Sequence, residues 1–305
     1  MSNEIVVIGS MNMDLVVETT TVPQKGETVL GNDFHQIPGG KGANQAMAAG
    51  KLGGNVNFIG ACGNDNFGDA LLSNLKKGGV NVENIHRVEE NTGIASITIE
   101  KDGDNRIIVI PGANHLLTPK IITEHIDIIK KASVLLLQLE IPINTMEKAV
   151  EIADKYNTTI ILDPAPAQKL TSDIYNKIDY LLPNQGELEN LINDSSLSFE
   201  DKINKLLKMG VKNLVLTKGK DGINVYNKND VKYYSTLDVK TVDTTAAGDA
   251  FAGALAYGLQ KNWDENKIYK FANKVAAISV TKIGAQSSLP TMQEVKTFSK
   301  KEVKG

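Results

Sequence analysis

The residues of this chain best suited to chemistry lie in the segment 243–249, which reads DTTAAGD. Two acids, Asp243 and Asp249, flank residues with small side chains, and the segment opens an apolar helical stretch, AFAGALAYGL. Small side chains leave the backbone N–H groups at a helix start uncovered, and these groups attract phosphate. A threonine N-cap with Asp249 as a partner for the helix dipole is the structural alternative. We favour an anion site because the side chains between Asp243 and Asp249 are too small to be there for packing.

A second cluster, GGKGAN at residues 39–44, precedes the helical stretch QAMAAGKLGG. Adjacent glycines let a backbone approach a ligand closely, and Lys41 and Asn44 add donors that suit sugar hydroxyls. The cluster is neither a P-loop, since Lys41 is followed by Gly42, nor a GxGxxG dinucleotide motif, since Gln45 takes the place of the last glycine. A glycine turn that only packs a helix tightly remains the alternative.

Short β-branched or leucine-rich runs alternate with helical periodicity along most of the chain. The predicted strands are residues 5–8, 56–60, 134–139, 159–162, 180–182 and 214–217. The predicted helices are residues 42–51, 69–77, 119–131, 145–155 and 200–209. This alternation predicts an α/β fold with a doubly wound, mainly parallel sheet flanked by helices, as a single domain over residues 1–305.

Two stretches, at about residues 13–37 and 94–110, break this rhythm. They contain the alternating segments DLVVE, GIASITIE and RIIVI, and Asp102-Gly103 predicts a tight hairpin between the last two. We expect a small antiparallel β lid with one apolar face, which covers a ligand or a second subunit. An insertion without a function is the alternative.

Composition excludes several classes of function. With 33 basic and 36 acidic side chains the net charge is −3, which predicts neither nucleic acid nor an acidic membrane surface as a partner. Cys62 is the single cysteine, so no intramolecular disulfide can form, and the four histidines lack metal-ligand spacing. The start MSNEIVVIGS lacks the features of a signal peptide, and the longest apolar run, at 134–137, is far too short to span a bilayer. We therefore expect a cytoplasmic protein that acts on small molecules.

Together the two glycine clusters resemble the two signatures of the ribokinase-like carbohydrate kinases, the phosphofructokinase B type. The first signature matches at Gly39, Gly40, Asn44, Ala46, Gly53 and Gly63, and the second at DTTAAGDAFAGALA. The resemblance runs from VVIGSMNMD to GAQSSLP, and one departure is Ala246, where many relatives have glycine. It implies the ribokinase-like fold and ATP-dependent phosphorylation of a sugar. The form GGKGANQA is similar to that of the members that phosphorylate ribose at O5.

The resemblance also implies the residues of the sugar site. Asp249 matches the catalytic base, and its neighbours match the anion hole: Ala246, Ala247 and Gly248. Sugar binding is implied for Asn12, Asp14, Gly40, Lys41, Gly42, Ala43, Asn44 and Glu140, together with Asp249. Asn12 and Asp14 follow the first predicted strand, at the end where α/β sheets bind ligands. Glu140 alone would also fit a surface acid at a strand end.

For the cofactors, the resemblance implies ATP, Mg²⁺ and K⁺. Nucleotide binding is implied for Asn184, Thr217, Lys218, Gly219, Lys220, Asp221, Gly222, Gly248 and Asn273. Asn184 and Glu187 match an NxxE element that holds hydrated Mg²⁺, although this tetrapeptide is also a common helix start, and the 219–222 turn also fits a plain hairpin. A K⁺ site, mostly of backbone carbonyls, is implied for Asp243, Thr245, Ser279, Lys282, Gly284 and Ser288. A homodimer joined through the lid is implied as well.

Three other functions remain open. A deoxyribose or nucleoside kinase would share the fold and the catalytic residues. A catalytically silent sugar-binding regulator would share the fold alone, and the presence of Asp249, Gly248 and the NxxE pair disfavours it. A nicotinamide oxidoreductase is disfavoured because no GxGxxG follows a strand.

Overall fold

The structure is a computed structural model that describes residues 3–102 and 104–302. Its strands are β1 (Ile5–Ile8), β2 (Asn12–Thr19), β3 (Gly31–Gly39), β4 (Val56–Gly63), β5 (Val80–Asn81), β6 (Ile85–Val88), β7 (Gly93–Glu100), β8 (Asn105–Ile110), β9 (Val134–Leu137), β10 (Thr159–Leu162), β11 (Tyr180–Leu181), β12 (Asn213–Thr217), β13 (Ile223–Tyr226) and β14 (Val231–Tyr234). Its helices are α1 (Lys41–Lys51), α2 (Asn66–Lys77), α3 (Pro119–Glu124), α4 (Ile126–Ile129), α5 (Ile143–Lys155), α6 (Ser172–Tyr175), α7 (Gln185–Leu191), α8 (Phe199–Lys208), α9 (Ala247–Gln260), α10 (Glu265–Ser279) and α11 (Met292–Glu302). Two 3₁₀ turns lie at Gly112–Leu116 and Gly219–Asp221.

The main sheet has the order β14-β13-β12-β11-β10-β9-β1-β4-β5, with β6 also paired to β4. Every pairing in it is parallel except those of β13 with β12 and with β14. Successive residues of β1 belong to different apolar clusters, Ile5 and Val7 to one and Val6 and Ile8 to the other. The sheet is therefore packed on both faces, as its apolar strands require. This confirms the α/β fold with a mainly parallel sheet flanked by helices.

The predicted elements agree with the structure to within three residues, apart from one helix. The predicted helix 119–131 is divided at His125, which leaves the helical conformation between α3 and α4. The side chain of His125 contacts His86 of β6, with 2.8 Å between their Nε2 atoms.

A second sheet of four strands, in the order β3-β2-β7-β8, forms the lid. Its two outer pairings are antiparallel, as expected, whereas β2 and β7 run parallel. The reason is topological: both of these strands start at the edge of the main sheet and run outward from it. Gly103 of the predicted hairpin lies outside the described residues.

The lid differs from the expectation of a single apolar face. The exposed fractions of Ile107, Ile108, Val109 and Ile110 in β8 are 52%, 68%, 49% and 51%. Because successive strand residues point to opposite faces, both faces of the lid present apolar side chains.

Among the described helices, none has both the length and the apolar character that a bilayer span requires.

Candidate active site

Several chain segments converge at the carboxyl edge of the main sheet. Gln138 and Glu140 follow β9, Asp163 follows β10, and the starts of α1 and α9 face the same region. A cleft of about 230 Å³ opens there, lined by Lys41, Asp163, Leu182, Asn184, Glu187, Thr217, Thr244, Ala246, Ala247, Gly248, Asp249 and Phe251. Ligands bind at such edges in α/β proteins because strand-to-helix loops place polar groups there.

Helix α9 begins without a side-chain cap, which disfavours the threonine N-cap considered above. Its N-cap residue is Ala246, and Thr245 instead donates its hydroxyl to Asp243 Oδ1 over 2.6 Å. Ala246 has φ 60°, in the left-handed region where glycine is favoured over alanine. A Cβ placed on Gly248 would meet open space. The Ala247 N–H already donates to Thr244 O over 3.2 Å, so the open anion site lies mainly at the following first-turn amides.

Asp249 is buried and held by two amides of α1. Asn44 Nδ2 donates to one carboxylate oxygen over 2.9 Å, and Gln45 Nε2 donates to the other over 3.0 Å. Gln45 Nε2 also donates to Asp163 Oδ2 over 2.7 Å, so one amide joins two buried carboxylates. Gln138 in turn donates to Gln45 Oε1.

Acidic side chains cluster in this cleft, and four of them act on the charge of Lys41: Asp249, Asp163, Glu140 and Glu187. Burial, with repulsion from Glu140 and Asp249, raises the pKa of Asp14 to about 7. Burial also raises the pKa of Asp163 to about 7, although Lys41 opposes the shift. Burial alone would lower the pKa of Lys41, but the surrounding carboxylates outweigh it and raise that pKa above its ordinary value. Lys41 therefore stays charged and offsets part of the acidic field.

The predicted sugar residues lie around the junction of β2, β3 and α1. Asn12 pairs with Gly39 across these strands, and a Cβ on Gly39 would lie 2.3 Å from Asp14 Oδ2. Gly40 has φ 86°, and a Cβ there would lie 2.7 Å from the Asn12 backbone nitrogen, so only glycine fits.

Glu140 points toward the start of α1. Its Oε2 accepts from the Lys41 backbone N–H over 3.1 Å and from the Ser10 hydroxyl over 2.5 Å. This geometry disfavours the alternative of an ordinary surface acid. Gly42 and Ala43 are buried against the end of β1, where the Ala43 N–H donates to Ser10 O over 2.8 Å. In this structure they pack α1 against β1.

A larger cleft of about 690 Å³ adjoins the first and shares the start of α9 with it, at Ala247, Gly248 and Phe251. It is lined by the predicted nucleotide residues Thr217, Gly219, Lys220, Asp221, Gly222, Gly248 and Asn273. Lys218 does not line it, and the Asn273 side chain donates to Tyr234 O over 3.0 Å. The 219–222 turn joins the antiparallel strands β12 and β13, so it is a hairpin turn, as the alternative held. The same turn lines the larger cleft, so the hairpin is compatible with the predicted nucleotide loop.

Asn184 and Glu187 form a reciprocal capping box at the start of α7. The Glu187 N–H donates to Asn184 Oδ1 over 2.9 Å, and the Asn184 N–H donates to Glu187 Oε2 over 2.8 Å. The two residues therefore do form a helix start, as the alternative held. Glu187 also lines the cleft, and its Oε1 takes no part in the capping box. A carboxylate beside a polar, acid-rich cleft fits a hydrated Mg²⁺.

The predicted K⁺ residues lie on two segments that Asp243 holds together: Asp243 and Thr245 precede α9, whereas Ser279 ends α10 and Lys282, Gly284 and Ser288 follow it. The Ser279 carbonyl already accepts from the Lys282 N–H over 3.2 Å. Asp243 Oδ1 accepts from the Thr245 N–H and Asp243 Oδ2 from the Gly284 N–H, each over 2.8 Å. Within the described chain, the carbonyl oxygens of Asp243, Thr245, Lys282 and Gly284 accept no backbone hydrogen bond. Unpaired carbonyls of this kind fit a monovalent cation.

Four site residues described here escaped the sequence reasoning: Ser10, Gln45, Gln138 and Asp163. Asp163 had a usable signal, since it is an acid directly after a buried strand, TIIL. Gln45 is a polar residue in an otherwise small-sided helix segment, which is a weaker signal.

The family model described as pfkB family carbohydrate kinase matches residues 2–292. Among curated relatives, a ribokinase of Lactococcus lactis is 39% identical over 95% of each chain, and a deoxyribokinase of Salmonella typhi is 34% identical over 97% of this chain and 98% of its own.

Two solved structures are also similar. A ribokinase of Thermotoga maritima has a TM-score of 0.91 at 40% identity and covers 97% of this chain and 99% of its own. An Arabidopsis thaliana ribokinase complexed with ribose and ATP also has a TM-score of 0.91, at 30% identity over 97% and 98% of the two chains.

Proposed function

The chain belongs to the pfkB family of carbohydrate kinases and is an ATP-dependent sugar kinase, and we propose that its substrate is D-ribose, phosphorylated at O5 to D-ribose 5-phosphate. The observation that carries the proposal is the position of Asp249. It is a buried carboxylate in the first turn of an uncapped helix, between the predicted sugar pocket and the predicted nucleotide cleft.

The reaction is an in-line transfer in which Asp249 acts as the general base. Asp249 takes the proton of the primary hydroxyl as O5 forms a bond to the γ-phosphorus of ATP and the bond to the β–γ bridging oxygen breaks, which releases ADP. The first-turn N–H groups of α9 stabilise the charge on the transferring phosphoryl group. The lid excludes water and so limits hydrolysis of ATP.

Cofactor roles follow from the donor sets. Asn184 and Glu187 would hold Mg²⁺ through water, and the ion, when bound, neutralises phosphate charge. The six residues Asp243, Thr245, Ser279, Lys282, Gly284 and Ser288 would hold K⁺ and order the loops beside the anion site. We place the enzyme in the cytoplasm, where ATP is available, and expect a homodimer joined through the lid.

Deoxyribose is the second candidate substrate, and the 34% identity to a deoxyribokinase supports it. A silent regulator is disfavoured because the base, the open helix start and Glu187 lie around one cleft.

The test is an ADP-release assay with ribose, 2-deoxyribose, hexoses and nucleosides, in K⁺ and in Na⁺ buffers of equal ionic strength. We expect ribose to give the highest kcat/KM, with the phosphate on O5 by NMR, and a higher rate in K⁺. A tenfold or greater preference for another acceptor would overturn the proposed substrate. Equal rates in K⁺ and Na⁺ would overturn the cation site.

A further inference from the structure

We infer that Asn114 is a positioning residue that fixes the side chain of Asn12 toward the sugar and ties it to the base of the lid. This inference rests on the proposed function, since it gives Asn12 a role in sugar binding. Asn114 lies in the 3₁₀ turn Gly112–Leu116 directly after the lid strand β8, and both asparagines are buried.

The orientation of the Asn114 amide is determined by the backbone of Met11. The Met11 N–H donates to Asn114 Oδ1 over 2.9 Å, and only the oxygen of the amide can accept it. Asn114 Nδ2 therefore faces the other way, where it lies 3.1 Å from Met11 O and 3.0 Å from Pro111 O. Both of these are backbone carbonyls, which can only accept.

The orientation of Asn12 follows from that of Asn114. The shortest contact of Asn114 Nδ2, 2.7 Å, is to Asn12 Oδ1, so Asn12 must present its oxygen to Asn114. Within the described residues the Asn12 amide nitrogen donates to no protein acceptor. Asn12 thus keeps two N–H donors for a ligand hydroxyl, and it cannot rotate without placing its NH₂ group against that of Asn114.

The same cluster joins the bases of the lid strands. A Cβ on Gly93, the first residue of β7, would lie 2.3 Å from Asn114 Nδ2 and 2.4 Å from Asn12 Oδ1, so this close packing requires glycine. The Ala113 N–H donates to Asn91 O over 2.8 Å, just before β7. Asn114 therefore contacts or adjoins the first residues of β2 and β7 and the residue after β8.

The test is a double-mutant cycle with Asn12→Ala, Asn114→Ala and the double variant, assayed with the sugar that the wild type phosphorylates best. We expect Asn114→Ala to raise the sugar KM at least tenfold, with kcat and the ATP KM changed less than threefold. The double variant should have nearly the sugar KM of Asn12→Ala alone, because Asn114 acts through Asn12. If Asn114 only stabilised the fold, the two substitutions would act independently, and the sugar KM of the double variant would rise by the product of the two single effects.

Two further variants separate positioning from folding. Asn114→Asp keeps the acceptor for Met11 but turns a carboxylate oxygen toward Asn12, so it should raise the sugar KM at least as much as alanine. Asn213→Ala removes the hydrogen bond that the Asn213 side-chain amide donates to Asp179 O at the start of β12, away from the clefts, and should leave the sugar KM unchanged. An unchanged sugar KM in folded Asn114→Ala or Asn114→Asp, or multiplicative effects in the cycle, would overturn the inference. A wild type inactive on ribose but active on another sugar would overturn only the proposed substrate.

Discussion

In the proposed mechanism Asp249 acts as the base, although both of its carboxylate oxygens already accept hydrogen bonds. Asn44 and Gln45 each occupy one lone pair, and this leaves the remaining lone pairs of a held carboxylate for the sugar hydroxyl. Asparagine at position 249 would keep the shape but could not take a proton. We expect Asp249→Asn to lower kcat at least ~10²-fold while ribose and ATP still bind, as measured by kinetics and calorimetry.

The control is Asp201→Asn, another acid in the first turn of a helix but away from the clefts. It should keep wild-type turnover. Near wild-type turnover in Asp249→Asn would remove this residue from the mechanism.

Asp14 should give the sugar site a pH dependence. Its pKa is raised to about 7 by burial and by its acidic neighbours, so it is protonated below that pH and ionised above it. The ionised carboxylate can accept hydrogen bonds from two adjacent hydroxyls. We therefore expect kcat/KM for ribose to fall as the pH falls through about 7.

Removal of this carboxylate should weaken sugar binding at any pH. We expect Asp14→Ala to raise the ribose KM at least tenfold with little change in the ATP KM.

The matched variant is Asp14→Asn, which cannot titrate. Its pH profile should lose the part of the acid limb that belongs to Asp14, and Asp163, whose pKa is also raised to about 7, can contribute to what remains. An unchanged ribose KM in Asp14→Ala would place the sugar elsewhere.

The residues that could be predicted from the sequence lie in short local patterns, and those that could not are joined only by the fold. Asp249 stands in a seven-residue motif that signals a helix start. Ser10, in contrast, contacts Glu140 across 130 residues of the chain, and Gln45 lies 118 residues from Asp163. No local periodicity records which loops meet at a sheet edge, so their contacts became visible only in the structure.

At the scale of elements, burial decided which strands could be predicted. VLLL and IVVI are apolar at every position because they lie inside the sheet. The edge strands β5 and β14 are short or mostly exposed, so their sequences carry little hydrophobic signal. The main sheet was therefore predicted at its centre and missed at its edges.

The N-cap residue of helix α9, Ala246, has a strained backbone conformation that a substitution can test. Ala246 adopts φ 60°, a conformation that costs an alanine roughly 1–2 kcal/mol and a glycine almost nothing. The substitution Ala246→Gly would relieve this strain, but part of the stabilisation is offset because glycine has more conformational freedom in the unfolded chain. We expect Ala246→Gly to raise the free energy of unfolding by up to about 1 kcal/mol in urea denaturation, with activity retained because the N–H is kept.

The adjacent alanine provides the control, since Ala247 is helical and gains nothing from glycine. Ala247→Gly should lower the free energy of unfolding by about 0.5–1 kcal/mol. If both substitutions destabilised the protein equally, the backbone at position 246 would not be strained.

At the scale of the whole molecule, the lid is the part that lacks cover. Its two faces differ along the central strand β7. On the face of Asp14, Ile97 lies beside Ile107, and Ile99 follows on the same side. On the opposite face, Ser96 lies beside Ile108, and Thr98 follows. Along β7 the face that bears Asp14 is therefore the more continuously apolar one, while Val17 of β2 and Phe34 of β3 add exposed apolar side chains to the opposite face. A thin sheet with an exposed apolar face is marginal in water.

A second copy of the chain would cover the face of Asp14, because twofold packing lets one apolar surface bury itself against its equal. We expect a homodimer, and we expect Ile107→Asp to give monomers with weakened sugar binding, because the lid that carries Asp14 then closes poorly over the sugar. Ile108→Asp is the matched control: it places the same charge on the adjacent residue but on the opposite face, so it should remain dimeric. Light scattering coupled to size-exclusion chromatography at micromolar concentration measures both. A monomeric wild type would refute the dimer, and a monomer produced by Ile108→Asp alone would move the interface to the other face of the lid.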